Sequence, residues 1–273
     1  MNLQPTLIIS DLDGTMLQRD TYALGPAEAL VRDLGEQGIP VILNTSKTKA
    51  EAVDWLTRLN LDTPFVVENG GAIFFPRKDF PKDCLQGFAP QIDTRWCRVN
   101  LGTPLPTLFP AVRSIIQSFQ NLVTCSLDEA VAMTGLTPEQ ASSCQQRNWS
   151  IPVFVDNNDE ALGEIKAEVE ALGFACISGG RFVHIQGICD KALASEVIKA
   201  AYEQRNGVPY RVIALGDSEN DRMMLEQAST AVVVRSKGRA MTLTRTDTIT
   251  TELEAPEGWV EGLSRAFGGD KFG

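Results

Sequence analysis

A series of short apolar runs separated by helical patterns constrains the fold more than any other feature. Buried strands are predicted at residues 7–10, 41–43, 65–67, 212–215 and 231–234. Helices are predicted around them at residues 26–37, 49–59, 191–204 and 222–227. Pro26 and Gly38 bound the first helix, and a capping box from Thr48 to Glu51 begins the second. This order predicts an α/β protein whose core is a doubly wound, Rossmann-like parallel sheet.

The middle of the chain departs from this pattern. Six prolines break it between Pro76 and Pro110, before a helical stretch near residues 112–119. The segment that follows contains two capping boxes, at Ser126 and Thr137, a strand at 151–155, a helix at 159–172 and a hairpin of 174–177 with 182–186 across Ser178-Gly179-Gly180-Arg181. Together these elements predict an α+β module. Because 273 residues exceed the usual size of one core, we predict a discontinuous core domain, 1–82 and 188–273, and an inserted α+β domain, 83–187.

Composition excludes several classes of function. No apolar stretch approaches the roughly 20 residues that cross a bilayer, and the first residues lack the basic start of a signal peptide, so we expect a cytoplasmic protein without membrane contact. Asp and Glu outnumber Lys and Arg by 35 to 25, which argues against nucleic-acid partners and means that an anionic substrate needs a locally positive pocket. The single histidine, His184, excludes zinc motifs that need two, and the six cysteines lack metal-ligand spacing. Nothing in the sequence predicts an oligomeric state.

Acidic and polar side chains follow the predicted strands. Asp11 and Asp13 come directly after the first strand, Thr45 after the second, and Asp217 and Asp221 after the strand at residues 212–215. Because ligand crevices in such sheets lie at the carboxyl ends of the strands, we expect these side chains to meet there. The alternative for Asp13 is a solvated Asp-Gly turn, and the alternative for Asp221 is a cap on the following helix.

Neighbouring carboxylates require a compensating charge. Two carboxylates one residue apart repel each other in a crevice of low dielectric constant, and Mg2+, which prefers oxygen ligands and substrate phosphates, removes that repulsion. We therefore predict a Mg2+ site at Asp11, Asp13 and Asp217. Asp11 is also a candidate nucleophile, and Lys191 and Thr45 are placed to neutralise the oxygens of a phosphoryl group.

Four motifs in this order resemble those of the haloacid dehalogenase superfamily: Asp11-x-Asp13-Gly14-Thr15, Thr45, Lys191 and Gly216-Asp217-Ser218-x-Asn220-Asp221. The long insertion between Thr45 and Lys191 is similar to the large mobile cap of the subgroup that includes sugar phosphatases, which implies that the inserted α+β domain is a cap domain. The resemblance also implies hydrolysis of a phosphomonoester through an aspartyl-phosphate on Asp11, with Asp13 as general acid and base.

A narrower resemblance, to the mannosyl-3-phosphoglycerate phosphatase family, covers nearly the whole chain. The segments that carry it are Asn44-Thr45-Ser46-Lys47-Thr48, Glu68-Asn69-Gly70-Gly71, Arg147-x-x-Ser150-x-Pro152, Gly179-Gly180-Arg181-Phe182-x-His184 and Asp190-Lys191. Ala192 and Glu219 depart from the family, where Gly and Pro are usual. The resemblance implies a small-molecule substrate, a phosphorylated sugar or glycosyl-phosphoglycerate, and formation of mannosylglycerate, a compatible solute. The candidate substrate-binding residues are Ser46, Lys47, Asn69, Arg147, Ser150, Arg181, His184, Asn220 and Asp221.

Several alternatives stay open on the sequence alone. The substrate could be glucosyl-3-phosphoglycerate or a general sugar phosphate. A phospho-receiver module would share the sheet and the acids but needs no inserted domain, and an inactive binding protein would lack a chemical group that this chain retains. His184 is either a substrate contact or an interior histidine, and Arg181 is either a contact or solvated. The tryptophans are interpreted as packing residues rather than sugar platforms: Trp55, Trp96, Trp149 and Trp259.

Overall fold

A computed structural model describes residues 4–155, 159–179, 181–237 and 241–269. Its strands are β1 (Thr6–Ser10), β2 (Val41–Asn44), β3 (Phe65–Val67), β4 (Ala72–Pro76), β5 (Gln91–Ile92), β6 (Trp96–Asn100), β7 (Ser150–Phe154), β8 (Ala175–Gly179), β9 (Phe182–Gln186), β10 (Arg211–Gly216), β11 (Thr230–Arg235) and β12 (Ile249–Glu254). Its helices are α1 (Ala27–Glu36), α2 (Lys49–Arg58), α3 (Leu105–Ile116), α4 (Leu127–Thr134), α5 (Pro138–Cys144), α6 (Asp159–Ala171), α7 (Lys191–Asn206), α8 (Arg222–Gln227) and α9 (Glu257–Ala266).

The larger sheet has nine strands in the order β12-β11-β10-β1-β2-β3-β4-β6-β5. The six strands from β12 to β3 are parallel, and β4, β6 and β5 continue the sheet in antiparallel pairs. This arrangement confirms the predicted α/β core with a mostly parallel sheet. β1 lies inside the sheet between β10 and β2, so the segments that follow these three strands emerge side by side.

Apolar layers cover both faces of this sheet. Ile8 of β1 packs with α1, α2 and α9 on one face, whereas Leu7 and Ile9 pack with α7 and α8 on the other. A strand buried on both faces reads as a continuous apolar run, which is why β1, β2 and β10 were predictable from sequence. Within the described ranges, no helix is both long enough and apolar enough to span a bilayer.

The smaller sheet is antiparallel and has the order β7-β9-β8. Helices α3 and α6 pack against it, and the predicted capping boxes at Ser126 and Thr137 begin α4 and α5. The predicted hairpin is β8 and β9, although Gly180 in its turn lies outside the described residues. This second antiparallel sheet with helices fits the α+β cap that was expected from the sequence.

The change from the large sheet to the small one occurs between residues 100 and 150. Strands β5 and β6 therefore pair with the large sheet, although they follow residue 83. The domain bounds 1–82, 83–187 and 188–273 stay predictions, and these two strands indicate that the core sheet extends past the first of them.

Candidate active site

Three of the four predicted acids meet at the carboxyl ends of β1 and β10. The backbone N–H of Asp11 donates to the Leu215 carbonyl at 3.0 Å, which fixes the start of the loop after β1. One carboxylate oxygen each of Asp11, Asp217 and Asp221 lies within 4.8 Å of the others, and all three residues are buried. We call these residues the acidic cluster.

Gly216 permits the acidic cluster to be this compact. A Cβ at this position would lie 2.4 Å from the Cβ of Asp221, closer than two non-bonded carbon atoms approach. A single carboxylate oxygen of Asp221, Oδ2, accepts hydrogen bonds from the backbone N–H groups of Asp217 and Ser218, each at 3.1 Å. Asp221 therefore organises the loop after β10 as well as contributing a charge.

Lys191 supplies a buried cation to the acidic cluster. Its Nζ lies 2.6 Å from Oδ1 of Asp11 and 2.7 Å from Oδ1 of Asp221, and the residue is 1% exposed. Asp190 begins α7 by accepting from the Leu193 N–H, and Asn44 donates to the Lys191 carbonyl at 2.9 Å. Burial alone lowers a lysine pKa, but the two carboxylates outweigh it and leave the pKa of Lys191 above its usual value.

Burial governs the titration of the acids. It raises the pKa of Asp11 to about 6, against the opposing effect of Lys191, and it also raises the pKa values of Asp217 and Asp221. Three carboxylates thus share one buried ammonium group, and negative charge remains uncompensated among them. A donor set of buried carboxylate oxygens in excess of nearby cations fits a hard divalent cation such as Mg2+.

Arg19 also reaches the acidic cluster, and sequence analysis did not predict it. Its guanidinium group forms an ion pair with Oδ2 of Asp217, while the arginine side chain remains 41% exposed. Thr15 donates to the other carboxylate oxygen of Asp217 at 3.3 Å. Gly14 is required beside them, because its φ is +84° and a Cβ there would lie 2.6 Å from the Arg19 guanidinium. Only its position six residues after Asp13 could have drawn attention to Arg19.

Asp13 lies apart from the acidic cluster that it was predicted to join. Its Oδ2 forms a 2.9 Å ion pair with Nζ of Lys47, which is also 3.8 Å from Glu51. Burial lowers the pKa of Lys47, but Asp13 and Glu51 more than offset this and leave that pKa raised. Among the described residues, the buried Oδ1 of Asp13 has no hydrogen-bond partner. The Asp13 carboxylate is therefore positioned by Lys47 with one oxygen available to a ligand.

Thr45 and the asparagines lie on the neighbouring loops. The Thr45 hydroxyl accepts from the Lys47 N–H at 3.2 Å, and the Thr45 carbonyl accepts from the Asn69 N–H at 3.0 Å. Asn220 donates to Oδ1 of Asn69 at 3.1 Å. Within the described part of the chain, the buried Nδ2 of Asn69 has no partner. The side chain of Asn69 thus links the loops after β3 and β10 and holds an amide donor for a ligand.

The segment before β7 attaches the smaller sheet to this site. Arg147 is buried, and its Nη1 donates to the Ser46 carbonyl at 2.7 Å. Glu68, which the sequence analysis did not select, accepts from the Asn148 and Trp149 N–H groups and from the Ser150 hydroxyl, at 2.7–3.0 Å. Arg147 and Ser150 therefore join the loops after β2 and β3 of the larger sheet to the start of the smaller sheet.

The two remaining candidates differ in their surroundings. His184 is 7% exposed, and its Nδ1 has no partner among the described residues. Burial, together with Arg147 and Lys191, lowers the pKa of His184 to about 3, so the imidazole is neutral at physiological pH. Arg181 is exposed and donates to the Thr134 carbonyl at 3.2 Å. The structure therefore brings His184 to the charged site, whereas the side chain of Arg181 contacts the neighbouring helix α4.

Comparison with known proteins gives a consistent result. A family model for haloacid dehalogenase-like hydrolases matches residues 8–85. A glucosyl-3-phosphoglycerate/mannosyl-3-phosphoglycerate phosphatase from Persephonella marina is 29% identical over 267 residues, which are 95% of this chain and 96% of the relative.

Solved structures agree in fold. A haloacid dehalogenase-like hydrolase from Bacteroides thetaiotaomicron has a TM-score of 0.67 at 18% identity, over 96% of this chain and 98% of that one. A second Bacteroides thetaiotaomicron protein, from a study of phosphatases of the haloalkanoate enzyme superfamily, has a TM-score of 0.66 at 14% identity, over 97% and 96%. These findings agree with the resemblance that the four motifs predicted: residues 8–85 match haloacid dehalogenase-like hydrolases, and together with the phosphatase relative they support a phosphoric monoester hydrolase.

Proposed function

We propose that this chain is a Mg2+-dependent phosphatase that hydrolyses mannosyl-3-phosphoglycerate to mannosylglycerate through an aspartyl-phosphate on Asp11. The observation that carries the proposal is Lys191, whose ammonium group is buried between Asp11 and Asp221 at 2.6 and 2.7 Å. Burying a lysine between two carboxylates costs free energy of desolvation. A phosphoryl site gives a reason for this cost, because the ammonium group can also contact phosphate oxygens. The glucosyl ester is the alternative substrate.

Asp11, Asp217 and Asp221 are the residues that would hold the cation, since their carboxylate oxygens lie together. When bound, Mg2+ supplies positive charge that offsets the charge of the phosphate and of these acids. Asp13 remains a predicted ligand, but its side chain is directed to Lys47 in this structure. We propose that Asp13 acts as the general acid and base, the role that the sequence resemblance implies.

The reaction has two balanced steps. An oxygen of Asp11 attacks phosphorus, the bond to the leaving-group oxygen breaks, and Asp13 gives that oxygen a proton. Asp13 then takes a proton from a water molecule whose oxygen attacks phosphorus, and the bond to Asp11 breaks to release phosphate. With a pKa of about 6, Asp11 is ionised at neutral pH and can begin the first step.

The substrate assignment depends on the named relative and on charge. The relative from Persephonella marina is described as acting on glucosyl- and mannosyl-3-phosphoglycerate. Such esters carry a carboxylate beside the phosphate, and this chain has a formal charge of −10. Arg147, buried beside Ser46, provides the local positive charge that an anionic ligand needs, and His184 offers a neutral ring nitrogen nearby.

Phosphate release from a panel of substrates tests the substrate assignment. The panel contains mannosyl- and glucosyl-3-phosphoglycerate, 3-phosphoglycerate, mannose 6-phosphate and an aryl phosphate, each with Mg2+ and with excess chelator. We expect the highest kcat/KM for a glycosyl-phosphoglycerate and no turnover in chelator. Preference for mannose 6-phosphate would favour a general sugar phosphatase, and full turnover in chelator would overturn the metal requirement.

Asp11→Asn tests the nucleophile. The amide keeps the size of the side chain but is a poor nucleophile, so kcat should fall by at least about three orders of magnitude on every substrate. Asp33→Asn, the same chemical change at an exposed position of α1, is the matched control and should retain activity. Thermal unfolding of both variants establishes that they are folded, and near-normal turnover by folded Asp11→Asn would remove Asp11 from this role.

A further inference from the structure

A cavity of about 240 Å³ lies beside the site, between α2, the loop after β1 and α5. Its walls include Tyr22, Lys47, Asp54, Trp55, Leu136 and Gln140, and we call it the side cavity. Of these wall residues, only Lys47 is connected to the mechanism proposed above, through its ion pair with Asp13. The other wall residues have no role in that mechanism.

Trp55 packs against the core, as the sequence suggested for all four tryptophans, but unlike the other three it also lines the side cavity. Trp96, Trp149 and Trp259 are buried, at 4%, 3% and 0% exposure, which agrees with packing. Trp55 is only partly buried and forms a wall of the side cavity. The Arg58 guanidinium lies 5.0 Å from its ring and helps to fix the indole in place.

Tyr22 provides a second aromatic wall, held by an uncommon backbone. Its φ is +55°, a left-handed conformation that aromatic residues adopt at a cost in free energy. The Tyr22 N–H donates to the Gln18 carbonyl at 2.9 Å, and the Tyr22 ring lies 4.9 Å from Nζ of Lys47. The fold thus keeps this ring beside the cavity despite the strain.

Lys47 connects the side cavity to the reacting groups. Lys47 lines the cavity, and its Nζ lies 2.9 Å from Oδ2 of Asp13. In the proposed mechanism, Asp13 gives its proton to the leaving-group oxygen. The body of the leaving group must therefore extend on the Asp13 side of the phosphate, toward Lys47 and the cavity that Lys47 lines.

The chemistry of the walls suits a sugar. Aromatic faces pack against the C–H face of a pyranose ring, while Asp54 and Gln140 can hydrogen-bond to its hydroxyls. We propose that the side cavity binds the sugar ring of the leaving group and so determines which phosphate esters are preferred. This inference depends on the proposed function, because it places one part of that substrate. Since α5 supplies one wall, the subsite is complete only when the two sheets are held together as seen here.

The test compares two substrates that differ only in the sugar. Mannosyl-3-phosphoglycerate and 3-phosphoglycerate share the phosphate and the carboxylate, so their ratio of kcat/KM values isolates the sugar contribution. We expect Trp55→Leu to lower kcat/KM for the glycosyl ester about 10- to 100-fold and to change the value for 3-phosphoglycerate by less than about twofold. Thr57→Ala, on the exposed face of the same helix, is the matched control and should change neither value.

A second variant and a second readout keep the test independent of folding. Asp54→Asn changes an exposed side chain of the cavity wall and should also lower only the glycosyl-ester value. Mannosylglycerate should inhibit wild-type enzyme more strongly than it inhibits either variant. Equal losses on both substrates would place Trp55 in structural support, and no loss on the glycosyl ester would place the sugar elsewhere. If wild-type enzyme itself prefers 3-phosphoglycerate, the sugar subsite is overturned while the phosphatase chemistry stands. If wild-type enzyme turned over none of these substrates, the proposed function itself would be contradicted.

Discussion

Among single residues, Arg19 is the one whose place in the active site no sequence motif predicts. It follows the first motif in an irregular stretch, and its partner, Asp217, lies 198 residues away in the chain. Asp217 is a proposed ligand of the cation, so the guanidinium and the cation compete for the same carboxylate. The Arg19 side chain of this ion pair is 41% exposed, and ion pairs with an exposed partner are weak. We therefore expect Arg19 to reduce the affinity for the cation only slightly.

Arg19→Ala should therefore tighten Mg2+ binding about two- to fivefold, because the cation no longer displaces a cationic side chain. Titration calorimetry without substrate measures the Kd directly. Arg32→Ala, at an exposed position of α1, serves as the control for loss of a positive charge. Weaker Mg2+ binding by Arg19→Ala would show that Arg19 supports the metal ligands instead of competing with the metal.

At the level of elements, the turn between β3 and β4 connects the two sheets. Glu68, Asn69 and Gly70 have φ values of +50°, +55° and +96°, so three successive residues are left-handed. A Cβ on Gly70 would lie 2.2 Å from the Asp190 carbonyl oxygen, which explains the glycine at the tightest point. This turn directs the Glu68 carboxylate toward residues 148–150.

Glu68→Gln should destabilise the protein by about 1.5–3 kcal/mol, the usual value of a hydrogen bond to a charged group. An amide offers one acceptor oxygen where the carboxylate offers two, so part of the three-donor contact is lost. Equilibrium unfolding in urea measures the change, and Glu36→Gln, at the exposed end of α1, is the matched control. An unchanged midpoint for Glu68→Gln would mean that the contact contributes nothing net to stability.

Elements with local signals were predictable, and elements defined by distant partners were not. The Thr48, Ser126 and Thr137 capping boxes all form, because the necessary side chains lie three residues apart. The two residues of β5 are both exposed, and they form a strand only because β6 pairs with them. The strand β12 was missed for the same reason, since its partner is β11. Helix α9 was missed despite a local signal, because Trp259 and Leu263 lie about one helical turn apart and mark an amphipathic helix.

On the scale of the whole molecule, the two sheets have separate apolar clusters. β1, β2 and β10 lie inside the nine-stranded sheet with both faces covered, whereas β7, β8 and β9 form a small sheet with its own, smaller clusters. We expect backbone amides of β1, β2 and β10 to exchange with deuterium at least about tenfold more slowly than those of β8 and β9, after correction for intrinsic rates. Hydrogen exchange with mass spectrometry measures this, and uniform protection would mean that both sheets open together.

The site was predictable in its members more than in its geometry. The motifs identified Asp11, Lys191 and Asp217 because each follows or begins an element that sequence alone locates. They did not identify which of Asp13 and Asp221 joins the acidic cluster, since this depends on Lys47 from another loop and on the close approach that Gly216 permits. Side-chain directions set by tertiary contacts are not encoded in local spacing.

The position of β1 between β2 and β10 has a consequence for synthesis on the ribosome. Arg211–Gly216 is made about 200 residues after Thr6–Ser10, which at 5–20 residues per second is a delay of roughly 10–40 s. Throughout that interval one edge of an apolar strand has unpaired backbone groups, which can recruit strands from other nascent chains. We expect the emerging chain to need protection by chaperones, and a prematurely terminated product to be aggregation-prone as well as inactive.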